Sequence, residues 1–314
     1  EKATFPTGKA HEAENLALSL QHPEWLVRRW IGQFGYEEAR ALCEFDNAQA
    51  TLSLRTNTLK ITRDKLLERL SQEGVEAEPS AWTPEGILCL RHGSLDALES
   101  LQQGLFQVQD ESSMLVAHVL APEPGEFVLD VCSAPGGKTT HIAASMGDCG
   151  RIVALDVHEH KMRRIAENCE RLGIKSVETL LLDAREAGRR FPRQADRVLV
   201  DAPCSGLGVL RRKPDARWRK RPDDLAALAR LQREILSSAA EAVKSGGVLV
   251  YSTCTIEREE NEAVVEDFLA RHEEFSLENA GELLPLKKRP EQMLQLYPQR
   301  DGTDGFFIAR MRRR

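Results

Sequence analysis

Residues 126–146 read EFVLDVCSAPGGKTTHIAASM, and the fold turns on how they divide. An apolar run at 127–129 ends on Asp130, a glycine-rich turn follows, and the residues beyond it have helical composition. The stretch is a strand, a tight turn and a helix. Gly136 and Gly137 lack a Cβ and let the backbone approach a ligand closely. The helix start then presents free N–H groups. The turn is neither G-x-G-x-x-G nor a Walker A sequence, so a pyrophosphate is not the favoured ligand.

Downstream, the alternation repeats. GRIVALDV (150–157), VETLLLDA (177–184), DRVLVDAPC (196–204) and GVLVYSTC (247–254) read as strands. Between and after them, EHKMRRIAENCERLG (159–173), residues 222–247 and EREENEAVVEDFLARH (257–272) read as helices. MLQLYP (293–298) and GFFIARMR (305–312) read as a closing pair of strands. The middle strands are near-continuous apolar runs, as in a parallel sheet covered on both faces. The expectation is a doubly wound α/β domain over 113–314, with ligands at the carboxyl ends of its strands.

Upstream, residues 1–50 read as a helical segment. HPEWLVRRWIGQF (22–34) places Trp25, Leu26, Trp30, Ile31 and Phe34 at helical spacing, so these tryptophans are expected in the core. Residues 51–112 read as a small α+β domain. It has a strand near Leu52 and Leu54, a helix over 62–74 capped by Thr62 and stopped by Gly74, a strand over 86–92 and a helix over 94–104.

The 314 residues are 41% hydrophobic and 29% charged, the composition of a soluble chain. No apolar run approaches the ~20 residues that cross a bilayer. The seven cysteines are scattered, with no C-x-x-C pair, which argues against a disulfide framework or a zinc site. HEHK at 158–161 reads as a solvated helix start. A cytoplasmic location, no metal, no membrane contact and a monomer are expected. Net charge is −6, yet residues 211–221, RRKPDARWRKR, carry Arg211, Arg212, Lys213, Arg217, Arg219, Lys220 and Arg221 against one acid, Asp215. Most such runs are solvated loops. Seven residues after Cys204, this one reads as a phosphate-binding segment.

Asp130, Asp156, Asp183 and Asp201 finish successive strands. Each alone could be a cap or turn former. Together they repel phosphates and suit a cationic, adenosine-containing ligand such as S-adenosylmethionine. Asp156 is placed for ribose hydroxyls and Asp183 for an adenine amino group.

Cys204 and Cys254 follow the fourth and fifth strands, which this winding makes neighbours, roughly 4.8 Å apart. Both thiols then face one crevice, where two structural cysteines would be out of place. A thiolate added to carbon 6 of a pyrimidine makes carbon 5 nucleophilic enough to take a methyl group, splitting one hard step into two. A proton donor at N3 assists, and Asp201 is placed to serve if protonated. A second thiol could help release the product. A free thiol, of pKa ~8.5, is only slightly ionised at neutral pH. The helix expected to start near Glu257 contributes less than one pKa unit to Cys254.

DVCSAPGGKTTHI (130–142), DAPCSGLGVLRR (201–212) and YSTCT with EENE (251–255, 259–262) resemble the signature motifs of the RNA 5-methylcytosine methyltransferases of the NOL1/NOP2/Sun family. FQVQDESS (106–113) and DGTDGFFIAR (301–310) extend the resemblance to about residues 50–314. It implies a Rossmann-like class I S-adenosylmethionine-dependent methyltransferase domain, preceded by an RNA-recognition-like domain. It implies that Cys254 is the nucleophile, that Cys204 promotes product release, and that Asp201 contacts the target base. Lys138 would be a polar contact beside the crevice. The cofactor would lie against Cys132, Ser133, Ala134, Pro135, Gly136, Gly137 and Lys138, with Asp156, Asp183 and Asp201 beyond. The chain is most similar to the bacterial branch that acts on 16S rRNA, free or in a small-subunit assembly intermediate. That branch carries an N-terminal helical domain resembling the antitermination factor NusB, for which residues 1–50 are too short; truncation or absence is expected. The alternatives are the same chemistry on tRNA or 23S rRNA, a non-catalytic RNA-binding ribosome assembly factor, and a nicotinamide-dependent oxidoreductase. The missing G-x-G-x-x-G disfavours the last.

Overall fold

The computed structural model describes residues 11–314. Three helices, Glu12–Leu20, Glu24–Phe34 and Tyr36–Asn47, open the described chain. Trp30 is fully buried among them and Trp25 packs on the same core. This core also includes Leu207, Leu210 and Ile256, so the helices rest on the loops that follow the two cysteines.

A four-stranded antiparallel sheet comes next, in the order β2–β3–β1–β4. Its strands are β1 (Leu52–Thr56), β2 (Glu76–Pro79), β3 (Gly86–Arg91) and β4 (Phe106–Val108). The helix Arg63–Gln72 covers it, with Thr62 as its N-cap and Gly74 in the left-handed region beyond its end, both as expected. Outer strands β2 and β4 were not foreseen. EAEP is too polar, and FQV too short, to show alternation. The helix expected over 94–104 is one 3-10 turn, Leu95–Ala97, and a single α turn, Glu99–Gln102.

The large sheet has eight strands. These are β5 (Phe127–Asp130), β6 (Arg151–Asp156), β7 (Val177–Leu181), β8 (Ala195–Asp201), β9 (Val243–Thr253), β10 (Phe275–Glu278), β11 (Met293–Leu296) and β12 (Phe306–Arg313). Strands β5 to β9 are parallel, in the order β9–β8–β5–β6–β7. Strand β12 pairs antiparallel to β9, and β11 and β10 pair antiparallel to β12. The doubly wound α/β class with a closing antiparallel strand pair is thus present. Chain order reverses between β5 and β8, the switch point where such sheets bind ligands. Apolar cores lie on both faces.

Two boundaries moved. The long helix stops at Ala242, and β9 takes up residues 243–247. The helix expected near Glu257 begins only at Glu262, eight residues after Cys254, so its dipole does not reach that thiol. The sequence reading also passed over β10 and the buried helix Glu111–Leu120. That helix is apolar nearly all round and carries little periodic signal.

Candidate active site

The parallel strands deliver the acids to one rim. Asp130, Asp156 and Asp201 close β5, β6 and β8, and Asp183 follows β7 by two residues. Their surroundings differ. Asp130 is fully buried and accepts from Thr139 Oγ1 at 2.7 Å, and burial pushes its pKa up to about 7. Asp156 Oδ1 accepts from the backbone N–H of His158 at 2.9 Å. Asp183 accepts from the backbone N–H of Arg185 at 2.9 Å and from its guanidinium at 2.7 Å. Asp156 and Asp183 are therefore turn formers and also line a cavity of about 620 Å³. Cys132, Ala134, Asp201, Cys204 and Cys254 line it too.

A second cavity, of about 380 Å³, shares Cys132, Ala134, Asp201 and Cys254 with the first and adds Lys138, Asp304 and Phe306. Cys254 stands where the two meet. The glycine-rich turn borders both, with Gly136 at φ +95 as its left-handed residue. A buried arginine, Arg55 of β1, holds that turn. It donates to Gly137 O at 2.5 Å, to Thr140 Oγ1 at 2.8 Å and to the Gln109 amide oxygen. Burial lowers its pKa to about 9. Sequence reasoning missed Arg55, because nothing local to LSLRT marks its partners.

Strands β8 and β9 bring the two cysteines together, with Asp201 level with Ser252. Cys204 Sγ lies 3.4 Å from Cys254 Sγ. The two thiols are electrostatically unequal. The hydrogen bond shared with Cys204 lowers the Cys254 pKa, and Lys138 and Lys213 help, against burial and Asp201. That same bond, then burial, raises Cys204 well above the ordinary thiol value. Cys132 is also raised, by burial and by the neighbouring acids.

Lys138 Nζ donates to Asp201 Oδ2 at 2.7 Å, and Ser252 Oγ donates to Asp201 Oδ1 at 2.9 Å. Burial pulls Lys138 down, but Asp201 outweighs it and leaves the ammonium's pKa raised. Its Nζ lies 5.0 Å from the Phe306 ring centroid. The proton nearest the crevice is therefore on Lys138, with Asp201 as its partner.

Three acids after Cys254 brace its loop. Glu257 is buried, pairs with Arg29 and accepts from Trp30 Nε1 at 3.2 Å. Glu259 also pairs with Arg29. Glu260 accepts from the backbone N–H of Ser205 at 2.8 Å and from Gln232 Nε2 at 3.0 Å, tying the Cys204 loop to the Cys254 loop. Backbones meet there as well. Gly208 N donates to Cys254 O at 3.1 Å, and Gly305 N donates to Gly208 O at 2.7 Å. A Cβ on Gly208 would lie 2.2 Å from Gly305 O.

The basic run divides. Arg212 bridges Asp110 at 2.5 Å and Asp304 at 2.6 Å. Arg211 lies over the Phe45 ring and 3.8 Å from Asp304. Arg217 is buried and donates to Asn47 Oδ1 at 2.7 Å and to the backbone carbonyls of Asp46 and Gln21. These three are internal struts. Lys213, Arg219 and Arg221 are exposed and Lys220 half-buried.

The family model described as "16S rRNA methyltransferase RsmB/F" matches residues 117–312, and an RsmF/B-like ferredoxin-like domain matches residues 22–96. The chain belongs to the RsmB/F family. It is 44% identical over 304 residues to the probable ribosomal RNA small subunit methyltransferase B of Bacillus subtilis (strain 168), covering 95% of this chain and 68% of that protein. It is 36% identical over 297 residues to the ribosomal RNA small subunit methyltransferase B of Escherichia coli (strain SMS-3-5 / SECEC), covering 92% of this chain and 66% of that one. A methyltransferase homologue from Pyrococcus horikoshii superposes with a TM-score of 0.83 at 31% identity, over 98% of this chain and all of that one. NSun6 from the same organism, solved with SFG, gives 0.82 at 28%, over 93% and 98%. The family is that of NOL1/NOP2/Sun rRNA cytosine-5 methyltransferases, so this RsmB/F chain is an S-adenosylmethionine-dependent methyltransferase.

The 620 Å³ cavity suits that cofactor: it has the volume of a small-molecule site and a rim of carboxylates in place of a phosphate cradle. One further cluster escaped the sequence reading. Glu85 accepts from His118 Nε2 at 2.9 Å and lies 3.1 Å from His141 Nε2. It ties the loop before β3 to the helices Glu111–Leu120 and Gly137–Ser145.

Proposed function

We propose that the chain transfers a methyl group from S-adenosylmethionine to carbon 5 of a cytosine in 16S rRNA, through a covalent bond between Cys254 and carbon 6. The observation that carries this reading is the thiol pair, 3.4 Å apart, beside the Lys138–Asp201 pair. S-adenosylmethionine supplies an electrophilic methyl group. Cys132 and Ala134 of the turn, with Asp156, Asp183 and Asp201, hold it in the larger cavity, where Arg185 must share or release Asp183. The target base enters the smaller cavity, between Lys138, Phe306 and Cys254.

The Cys254 thiolate adds to carbon 6, and Lys138, held by Asp201, delivers a proton to N3. Carbon 5 then takes the methyl group as its bond to the sulfonium sulfur breaks, with the electron pair left on the departing thioether, S-adenosylhomocysteine. A base then removes the carbon-5 proton, the 5,6 double bond re-forms, Cys254 leaves as thiolate, and N3 returns its proton. Cys204 sits where it can assist that elimination. The cytosine must be unpaired or flipped out, because stacking shields carbon 6. Lys213, Arg219, Lys220 and Arg221 line the approach for backbone phosphates, with affinity falling as salt rises.

The test is methyl transfer from labelled cofactor to unmodified 16S rRNA, 23S rRNA and tRNA. Methylation of 16S rRNA alone supports the substrate. Cys254→Ala is expected to abolish transfer, and Cys204→Ala to accumulate a protein–RNA adduct. Transfer surviving in Cys254→Ala removes the covalent mechanism.

A further inference from the structure

Trp218 stands apart from the other tryptophans. It is 62% exposed, whereas Trp30 and Trp82 are buried and Trp25 is half-buried. It is also the one aromatic among the exposed large hydrophobic side chains of the described residues. Its indole is open to contact, and an aromatic face with cations close by in the chain is the chemistry that receives an unpaired base.

The local structure holds it outward. Trp218 belongs to the short helix Ala216–Arg219. The preceding residue, Arg217, is buried against the N-terminal helices by its bonds to Asn47 and to the Asp46 and Gln21 carbonyls. With Arg217 held inward, Trp218 projects to solvent from the next position of the helix. Ala216, Lys213 and Lys220 line the cavity that holds both cysteines. The same three residues and Arg219 line an adjoining open cleft of about 780 Å³. Trp218 itself lines neither cavity; its indole stands exposed on the short helix whose Ala216 and Arg219, with Lys220 just beyond, border them.

We propose that Trp218 is a stacking platform for an unpaired base of the RNA strand next to the target cytosine, with Lys213, Arg219 and Arg221 on the adjoining phosphates. This rests on the RNA-methyltransferase reading and adds a binding site to it. Single-strand sites combine a positive groove with aromatic faces, and the stacking contribution is largely independent of sequence. The internal partners of Arg211, Arg212 and Arg217 leave the outer cations for phosphate, so the site is smaller than the whole basic run.

The experiment measures binding of the full chain to a mixed-sequence 12-nucleotide single-stranded RNA, and to its duplex, across a salt series. Indole fluorescence and filter retention are the readouts. Trp218→Ala is expected to weaken single-strand binding roughly 5- to 150-fold with an unchanged salt slope, and Trp218→Phe to recover most of it. Lys213→Ala is expected to lower the salt slope by about one. The thermal midpoint of Trp218→Ala should match wild type, which separates binding from folding. Wild-type affinity in Trp218→Ala overturns the proposal, as does an equal loss on the duplex. So does a defect seen only on assembled ribosomal particles, which would mark a protein contact. None of these results depends on methyl transfer, so Cys254→Ala tests the underlying reading separately.

Discussion

Lys138 meets two demands that pull in opposite directions. Burial favours its neutral form, and Asp201, 2.7 Å away, restores the charge. A positioned proton donor contributes typically 10²–10⁴-fold to a rate. Lys138→Gln should therefore lower single-turnover methyl transfer by about that factor while the protein still folds and binds RNA. A rate within threefold of wild type would remove Lys138 from the chemistry. The two thiols illustrate what was legible at this scale. Their meeting follows from winding order, since consecutive strands of a parallel sheet end on one rim. Their inequality does not, because it depends on which sulfur donates. The fate of the arginines was equally hidden. The sequence displays their charge, but Asp46 and Asp110, which hold Arg217 and Arg212, lie more than a hundred residues away.

Among elements, the helix Glu24–Phe34 does more than cover a core. Its Arg29 and Trp30 hold the buried Glu257, three residues past Cys254. Burial raises the Glu257 pKa, and Arg29 opposes that rise. Arg29→Ala would leave this carboxylate with one donor, at a cost of about 1–3 kcal/mol. The urea midpoint should fall, and activity should fall further than the midpoint because the cysteine loop loses its brace. Unchanged values for both would make the pair incidental. Apolar parallel strands and capped helices could be read from the chain because their signals are local. Short edge strands such as β2 and β4, and the all-round apolar helix Glu111–Leu120, are set by neighbours and carry no such signal.

The whole molecule is sensitive to acid at the junction between its two sheets. Burial lowers His141 to a pKa of about 4. Burial pushes Glu85 up, but hydrogen bonds from His118 and His141 outweigh it and hold the carboxylate below its ordinary value. The unfolded chain protonates a histidine near pH 6.5, well before the folded one does. The unfolded state thus binds more protons in that interval, and stability falls as pH drops from about 6.5 to about 4. Glu85 adds a loss below about 4.5, where the unfolded carboxylate takes up its proton. Thermal midpoints taken in steps from pH 7.5 to 4 should show this decline, and His141→Gln should flatten its upper part. A midpoint independent of pH over that range would mean the cluster does not couple the sheets.

The backbone crossing of Gly208, Gly305 and the Cys254 carbonyl locks three loops together. Three segments distant in the chain share one point of contact, with no room for a side chain between Gly208 and Gly305. A Cβ at Gly208 would therefore push the Cys204 loop off the DGTDG turn and, through the Gly208 N–H bond to the Cys254 carbonyl, disturb the spacing of both thiols at once.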